Sequence, residues 1–187
     1  MQDLPRDILI RASQGDIEAF KEIYKATSGF VYTLALRITN NIEDAQEVTQ
    51  DVFLKIYKNL KSFQFRSSFK TWIYRITANT AINAYKRKSK EILHKGDYEI
   101  TIKTESAPNE TTEIIDKEQK EQLLRSLLDM LNPDQRACIT LREIEGLNYK
   151  EISKALKINI NTVRSRLKRA REALLTYRKK EVMGDEL

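Results

Sequence analysis

Apolar residues recur every three or four positions along most of this chain, which is the spacing of one face of an α-helix. No segment keeps the alternation of apolar and polar residues that marks a strand, and 5 Gly and 3 Pro among 187 residues favour long helices over turn-rich β-structure. The sequence therefore predicts an all-α fold. The periodic segments predict helices at about 5–13, 17–39, 43–60, 69–88, 116–130, 133–144, 148–156 and 160–180.

The periodic pattern stops between residues 89 and 115. This stretch contains Gly96 and Pro108 and many Ser, Thr, Asn and Glu residues, but few large apolar ones, so it can bury little surface. We expect a flexible linker here, between one small helical domain at 1–88 and a second at 116–187. The acidic excess of the linker indicates a solubilising segment or, alternatively, one that avoids nucleic acid or occupies a channel built for it.

Composition and charge narrow the function classes. The net charge of +6 suggests a polyanionic partner without identifying it. With one Cys (Cys138) and one His (His94), the chain cannot form an intramolecular disulfide or a zinc site of several Cys or His ligands, and no Gly-rich phosphate loop is present. The N-terminal residues lack an apolar signal core and no segment has the length of a membrane span. We expect a soluble, cytoplasmic, non-catalytic protein without cofactor or metal.

The last two predicted helices, 148–156 and 160–180, form a helix-turn-helix. Val163, Leu167, Ala170 and Leu174 make the inner stripe of the second helix, and its other sides are polar and basic. Such a helix can enter a DNA major groove, where Arg, Lys and Ser contact phosphates or base edges. A solvated basic helix of a bundle is the alternative. The candidate duplex contacts are Asn161, Thr162, Arg164, Ser165, Lys168, Arg169 and Arg171.

The segment 144–174 resembles the domain of bacterial RNA polymerase sigma factors that reads the promoter −35 element. The resemblance rests on Gly146, Glu151, Ile152, Leu156, Thr162, Val163, Arg164, Ser165, Arg166, Arg169, Ala170, Arg171 and Leu174. The chain departs from the family pattern at Tyr149 and Ser153. This domain alone is also similar to the DNA-binding domain of response regulators, so it does not decide the function.

A predicted helix near residues 43–60 carries acid on one face. The candidate residues of this face are Asp44, Glu47, Gln50 and Asp51. Carboxylates and an amide at this spacing can engage a basic helical partner through charge-assisted hydrogen bonds, whereas the alternative is an ordinary solvated acidic face. The sequence DAQEVTQDVFLKIYKNL resembles the sigma-factor helix that binds core RNA polymerase, which implies that role for these four residues.

Aromatic and basic residues are interleaved between residues 61 and 88, a combination that suits single-stranded nucleic acid. Phe69, Ile73, Ile76 and Thr80 form an inner stripe, and the stripe of Trp72, Arg75, Asn79, Ile82 and Lys86 can face DNA. Some aromatics must belong to the core, Phe69 first and Trp72 second. The candidate contacts to unpaired DNA are Phe63, Phe65, Arg66, Trp72, Arg75, Asn79 and Lys86.

This segment resembles the −10 recognition and melting region of the extracytoplasmic-function type of sigma factor (sigma-70 family, group 4). The residues that match the family's pattern for this region are Phe69, Trp72, Ile73, Tyr74, Arg75, Ile76 and Asn79. Thr77 replaces the usual Ala. The resemblance implies that the loop 63–68 captures a base flipped from the non-template strand. It also implies three partners: core RNA polymerase, promoter DNA (duplex at −35, single-stranded at −10), and an anti-sigma factor, which in this family is often membrane-bound.

Two other function classes compete with a sigma factor. A stand-alone helix-turn-helix regulator would bind a palindrome as a dimer without polymerase, but the acidic helix and the aromatic-basic segment argue against it. A nucleic-acid enzyme would need a carboxylate cluster for metal, and the carboxylates here lie on a helix away from the basic stripes.

Overall fold

In the computed structural model, residues 4–95 and 112–184 are described, and within these ranges all regular structure is helical. The all-α prediction is confirmed. The helices are α1 (Arg6–Ser13), α2 (Ile17–Thr39), α3 (Ile42–Asn59), α4 (Phe69–Lys95), α5 (Thr112–Asp129), α6 (Pro133–Ile139), α7 (Tyr149–Leu156) and α8 (Ile160–Gly184). A 3₁₀ turn (Leu60–Ser62) follows α3 and a π-helical turn (Thr140–Ile144) follows α6.

Short polar side chains start the helices where the sequence predicts. Asp16 accepts a hydrogen bond from the backbone N–H of Ala19 at 3.0 Å and caps α2. Asn132 and Asn148 each form a reciprocal capping box, at the start of α6 and α7 respectively. At α8, Asn159 accepts from the backbone N–H of Asn161 at 2.8 Å, so Asn159 is the cap of the helix predicted to meet DNA.

The predicted linker is shorter at both ends in the structure. Helix α4 continues to Lys95 and α5 begins at Thr112, so residues 89–95 and 112–115 are helical. In the first flank, Lys, Glu and Leu are good helix formers, which composition arguments about polarity overlook. The middle of the predicted linker, 96–111, lies outside the described residues.

Helices α1–α4, here called the N-terminal module (residues 4–95), pack around α2. Ile23, Leu34 and Ile38 of α2 are fully buried, as are Ile56 of α3 and Ile73 of α4. α4 contacts α2 and α3 on one side and α6 and α7 on the other. Because α4 is covered from both sides, the prediction that Ile82 faces DNA is wrong, and this side chain is buried with 6% exposed.

Helices α5–α8, here called the C-terminal module (residues 112–184), contain the helix-turn-helix. Val163, Leu167 and Ala170 are buried, which confirms most of the predicted inner stripe of α8, whereas Leu174 is half-buried. α8 packs on α6 and α7. The two modules also touch, since α6 packs on α2 and α7 on α4, and their buried apolar residues form one connected cluster.

Cys138 lies fully buried in α6, and burial raises the pKa of its thiol from 9.0 to about 11. The thiolate is the reactive form, so we expect Cys138 to react with a disulfide reagent at pH 8 only as fast as the chain unfolds. Because the unfolded thiol ionises first, its contribution to stability is complete below pH 9 and is lost between pH 9 and about 11.

Two measurements check this expectation. Labelling rates of the native chain with and without denaturant should differ strongly, and urea midpoints should fall above pH 9. The exposed-thiol control is Lys25→Cys in a Cys138→Ala background, which should react at the rate of a free thiol. Equally fast labelling of native Cys138 would contradict the prediction.

Candidate nucleic-acid interfaces and polymerase-docking face

The side of α8 opposite its buried stripe faces solvent. Of the predicted duplex contacts, Thr162 is half-buried and the others are exposed: Asn161, Arg164, Ser165, Lys168, Arg169 and Arg171. The structure thus brings all seven residues together on one helix. The Nη1 of Arg164 lies 3.1 Å from the Oδ1 of Asn161, at the first turn of α8. The backbone N–H groups of this turn add positive partial charge at the same end.

Two acids neighbour this basic face. Arg171 forms an ion pair with Glu143 at 2.6 Å, and that hydrogen bond raises the pKa of the guanidinium. Lys168 and Glu172 are 3.8 Å apart. The first pair is about half exposed and the second is mostly exposed, and ion pairs of that kind contribute little. The cations can therefore exchange these carboxylates for phosphate oxygens.

An aromatic cluster supports the loop between α3 and α4. The Phe63 ring lies 4.7 Å from Phe65, 5.8 Å from Phe69 and 5.1 Å from Trp72, measured between centroids. Phe69 and Trp72 are each 7% exposed, which confirms Phe69 as core and places most of Trp72 there too. Ser68 starts α4 by accepting from the backbone N–H of Thr71 at 3.1 Å.

At the tip of this loop, Phe65 presents its ring to solvent in an unusual backbone conformation. Its φ is 53°, a left-handed value that bulky residues seldom adopt, and its exposed fraction is 37%. The guanidinium of Arg6 lies 4.6 Å from the ring centroid. Arg66, beside it, is exposed. The sequence pattern gives no signal for Arg6, because a residue of α1 meets the loop only after the chain folds.

An open cavity of about 440 Å³ lies next to the aromatic cluster, and Trp72 belongs to both. Arg75 and Asn79 line the cavity with Lys55, whose Nζ donates to the Oγ1 of Thr80 at 2.9 Å. Lys55 lies in the predicted polymerase-binding helix, so its sequence context does not indicate a role at this cavity. The structure thus joins the loop and α4 into one surface of rings, cations and amides.

Asn79 and Lys86, both predicted contacts to unpaired DNA, have partners in the C-terminal module. The Nδ2 of Asn79 donates to the carbonyl oxygens of Arg75 at 2.7 Å and Ala155 at 3.2 Å. Lys86 is exposed and forms an ion pair with Asp134 at 3.1 Å. It lies outside the residues lining the cavity.

Within the described residues, the acidic residues in the first half of α3 form ion pairs with α4, and those in the second half do not. Asp44 pairs with Lys88, and Glu47 pairs with Arg87, each at 2.7 Å. Gln50 is exposed and Asp51 is half-buried, and no ion pair to Asp51 occurs among the described residues. The second half of α3 thus offers the less engaged polar groups.

Exposed apolar side chains continue this face toward the end of α3. Leu54 is 57% exposed and Tyr57 is 55% exposed. They follow Gln50 at helical spacing and form with Gln50 and Asp51 a mixed polar and apolar strip. Leu54 and Tyr57 were absent from the predicted site because an apolar residue in a helical pattern is assigned to the core first.

Within the described ranges, no cluster of three or more His, Cys, Asp or Glu side chains is placed to hold a metal ion. The helices of these same ranges are also too short or too polar to cross a membrane.

Comparison with known proteins places both modules in one family. The family description "Sigma-70 region 2" matches residues 23–91, and "Sigma-70, region 4" matches residues 121–174. The ECF RNA polymerase sigma-E factor of Escherichia coli (strain K12) is 32% identical over 181 residues, which cover 92% of this chain and 94% of that protein. The chain belongs to the ECF family of RNA polymerase sigma factors. It therefore directs core RNA polymerase to promoters at the initiation of transcription.

Other relatives agree with this ECF sigma factor assignment. The ECF sigma-E factor of Haemophilus influenzae is 33% identical over 171 residues, covering 88% of this chain and 89% of that protein. The sigma-H factor of Pseudomonas aeruginosa is 30% identical over 184 residues, covering 92% and 93%. Sigma factors are not enzymes, and the membership decides against a stand-alone regulator.

Solved structures show the same fold. The structure of CnrH in complex with the cytosolic domain of CnrY matches with a TM-score of 0.64 at 21% identity, covering 94% of this chain and 97% of that chain. The RpoE–NepR complex from Bartonella quintana matches with a TM-score of 0.65 at 23% identity, covering 86% of this chain and 96% of that chain.

The present chain has Thr77 where the −10 pattern usually has Ala. Thr77 is fully buried, and its hydroxyl has no hydrogen-bond partner.

Proposed function

We propose that this sigma factor divides promoter recognition among three surfaces on different helices. The exposed face of α8 reads the duplex −35 element, the loop 63–68 and the cavity beside α4 hold unpaired −10 DNA, and α3 binds core RNA polymerase. The proposal follows the predicted domains, 1–88 and 116–187, with the tether between them. The observation that carries it is the chemical difference between these surfaces: basic and polar on α8, aromatic and basic at the loop, acidic and apolar on α3.

The −35 role is supported by the shape and charge of α8. The helix buries one stripe and exposes six of the seven candidate contacts on its other sides. A helix of this kind fits the major groove, where Arg164, Arg169 and Arg171 can reach phosphates or guanine edges, and Ser165 can contact either.

The −10 role is supported by the aromatic loop and its adjoining cavity. A base that leaves the duplex loses its stacking, which costs a few kcal/mol, so a protein that holds it must offer a ring and polar groups. The exposed Phe65 ring supplies a stacking surface, and Arg75 and Asn79 supply donors at the cavity. Arg66 and Lys86 add charge for the backbone phosphates.

The polymerase role is supported by the strip on α3. Gln50 and Asp51 offer an amide and a carboxylate, and Leu54 adds an exposed apolar side chain. Glu47 extends the acidic face once Arg87 is displaced from their exposed pair, and Asp44, whose side chain is only 16% exposed, extends it once Lys88 is displaced. Exposed apolar groups beside polar ones suit a protein interface, and the carboxylates of this strip favour a basic partner.

We also propose that an anti-sigma factor, often membrane-bound in this family, controls this protein in the cytoplasm. The CnrH–CnrY and RpoE–NepR complexes share its fold and support this partner class.

We expect Asp51→Lys to weaken binding of core RNA polymerase about tenfold, because it places a cation where a basic partner surface meets α3. The measurement is fluorescence anisotropy of the labelled full chain titrated with core enzyme, followed by run-off transcription. Glu22→Lys is the matched control. Glu22 lies on α2 near Arg11, away from the strip on α3, and the substitution makes the same change of charge. Equal weakening by both variants, or none by Asp51→Lys, would remove α3 from the polymerase interface.

A further inference from the structure

We propose that Arg6 of α1 is a further DNA-binding residue of the −10 surface. Its guanidinium, held over the ring of Phe65, binds a phosphate of the strand whose unpaired base the loop 63–68 captures. The proposal rests on the assignment of this loop to −10 DNA made above. It adds a contact from a helix that neither the sequence pattern nor the three proposed surfaces include.

The backbone of Arg6 is fixed by its place in α1. Arg6 is the first residue of the helix and follows Pro5, whose ring restricts the φ angle at the entry to the helix. Leu9 and Ala12 are buried, and α1 contacts α2 and the 3₁₀ turn Leu60–Ser62 that leads into the loop. The start of α1 is therefore held beside the loop.

The ring of Phe65 has two close neighbours. The guanidinium carbon of Arg6 lies over the ring at 4.6 Å from its centroid, and the centroid of the Phe63 ring lies at 4.7 Å. The left-handed backbone of Phe65 costs free energy for a residue with a bulky side chain, so it persists only where surrounding contacts hold it. Arg6 therefore helps to keep in place a residue that is still 37% exposed.

The donors of the Arg6 guanidinium are accessible to a ligand. Arg6 is exposed, and among the described residues no carboxylate forms an ion pair with it, whereas Arg11 on the same helix pairs with Asp16 at 2.7 Å. A guanidinium can lie over a ring and bind a phosphate at the same time, because the ring meets its face and the N–H groups point outward in its plane.

Two cations thus accompany one exposed ring. Arg66 follows Phe65 in the loop, and Arg6 reaches the ring from a different helix. A captured nucleotide brings its phosphates with its base, so a ring that stacks on the base is served by cations that bind the backbone. Because Arg6 belongs to α1, its contact ties the bound strand to the body of the N-terminal module.

A purely structural role for Arg6 predicts a different result. If Arg6 only held the loop in place, its loss would weaken DNA binding without changing the number of phosphates that the protein neutralises. On single strands, the logarithm of the affinity falls with the logarithm of the salt concentration by about 0.7 for each phosphate contact. This salt slope therefore separates a direct contact from a supporting one.

The test is Arg6→Met in the full chain, titrated at several salt concentrations against a labelled single strand of about ten nucleotides of random sequence. We expect about fivefold weaker binding at low salt and a salt slope smaller by about 0.7, the value for one lost phosphate contact. Fluorescence anisotropy measures both quantities. Arg6→Lys keeps the charge and should restore the slope.

Lys90→Met is the matched control, because it removes one cation from the same module. Lys90 is exposed on α4, roughly 30 Å along the helix from Phe69, where the loop ends. It should leave the affinity and the slope near those of wild type. Phe65→Ala tests the assignment of the loop itself and should weaken binding with the slope unchanged.

Three results would overturn the proposal: an unchanged salt slope in Arg6→Met, a slope that Arg6→Lys does not restore, or an equal change of slope in Lys90→Met. Failure of the proposed −10 role gives a different result, because Phe65→Ala would then bind the strand as tightly as wild type does.

Discussion

Alanine at both Arg75 and Asn79 is expected to lower promoter opening by the polymerase-bound sigma factor about 100-fold, with −35 binding nearly unchanged. Both side chains line the cavity beside Trp72, where we place the unpaired −10 base. Contacts of this kind contribute about 1–3 kcal/mol per base, and the base cannot remain outside the duplex without them. Initial binding depends instead on α8, which these substitutions leave intact.

The measurement is permanganate footprinting of melted thymines, run beside mobility-shift assays of the closed complex. The reciprocal control is Arg164→Ala with Arg169→Ala on α8, which should weaken the closed complex and leave opening of the residual complex near wild type. Parallel loss of binding and opening in both double variants would refute the division between the modules.

Arg136→Met is expected to lower the free energy of unfolding by about 3 kcal/mol. The guanidinium satisfies four backbone carbonyls: those of Leu128 at 2.7 Å, Leu131 at 2.8 Å, Thr39 and Ile38. Methionine fills the space of the stem but donates no hydrogen bond, so these buried acceptors lose their partners. Burial lowers the pKa of Arg136, and the nearby Asp129 carboxylate opposes that shift.

Urea denaturation followed by circular dichroism measures the change, with Arg169→Met on the exposed face of α8 as the matched control. The control should remain within about 0.5 kcal/mol of wild type. The Nε of Arg136 donates to two carbonyls within the C-terminal module, so the expected loss includes bonds inside that module as well as those to the end of α2. If Arg136→Met had the same urea midpoint as Arg169→Met, water would satisfy the carbonyls as well as the guanidinium does, and the prediction would be wrong.

The helices were predictable because their signals are local. The periodicity of α2 and of α8 depends on neighbours within one or two turns. The exposed face of α8 was predictable for the same reason, since a buried stripe of Val163 and Leu167 determines which side faces out.

The residues that the sequence analysis placed wrongly or missed share one feature, which is contact with segments distant in the sequence. Ile82 has the helical phase of a DNA-facing residue, yet it is buried because other helices pack on both sides of α4. Arg6 meets Phe65, and Lys55 meets Thr80, across long stretches of sequence. Helical phase gives the side of its own helix on which a residue lies, but not which other helices pack against that side.

The sequence by itself determined the all-α fold, the order of the two modules, the sigma-factor resemblance and the faces of α3 and α8, because each depends on spacing within a helix or on a contiguous motif. Only the tertiary structure decided how the modules meet. The contacts of Glu145 with Arg37 and Tyr74, and of Arg136 with the end of α2, join residues far apart in the chain. Such pairings follow from which surfaces pack together, and no local pattern carries that information.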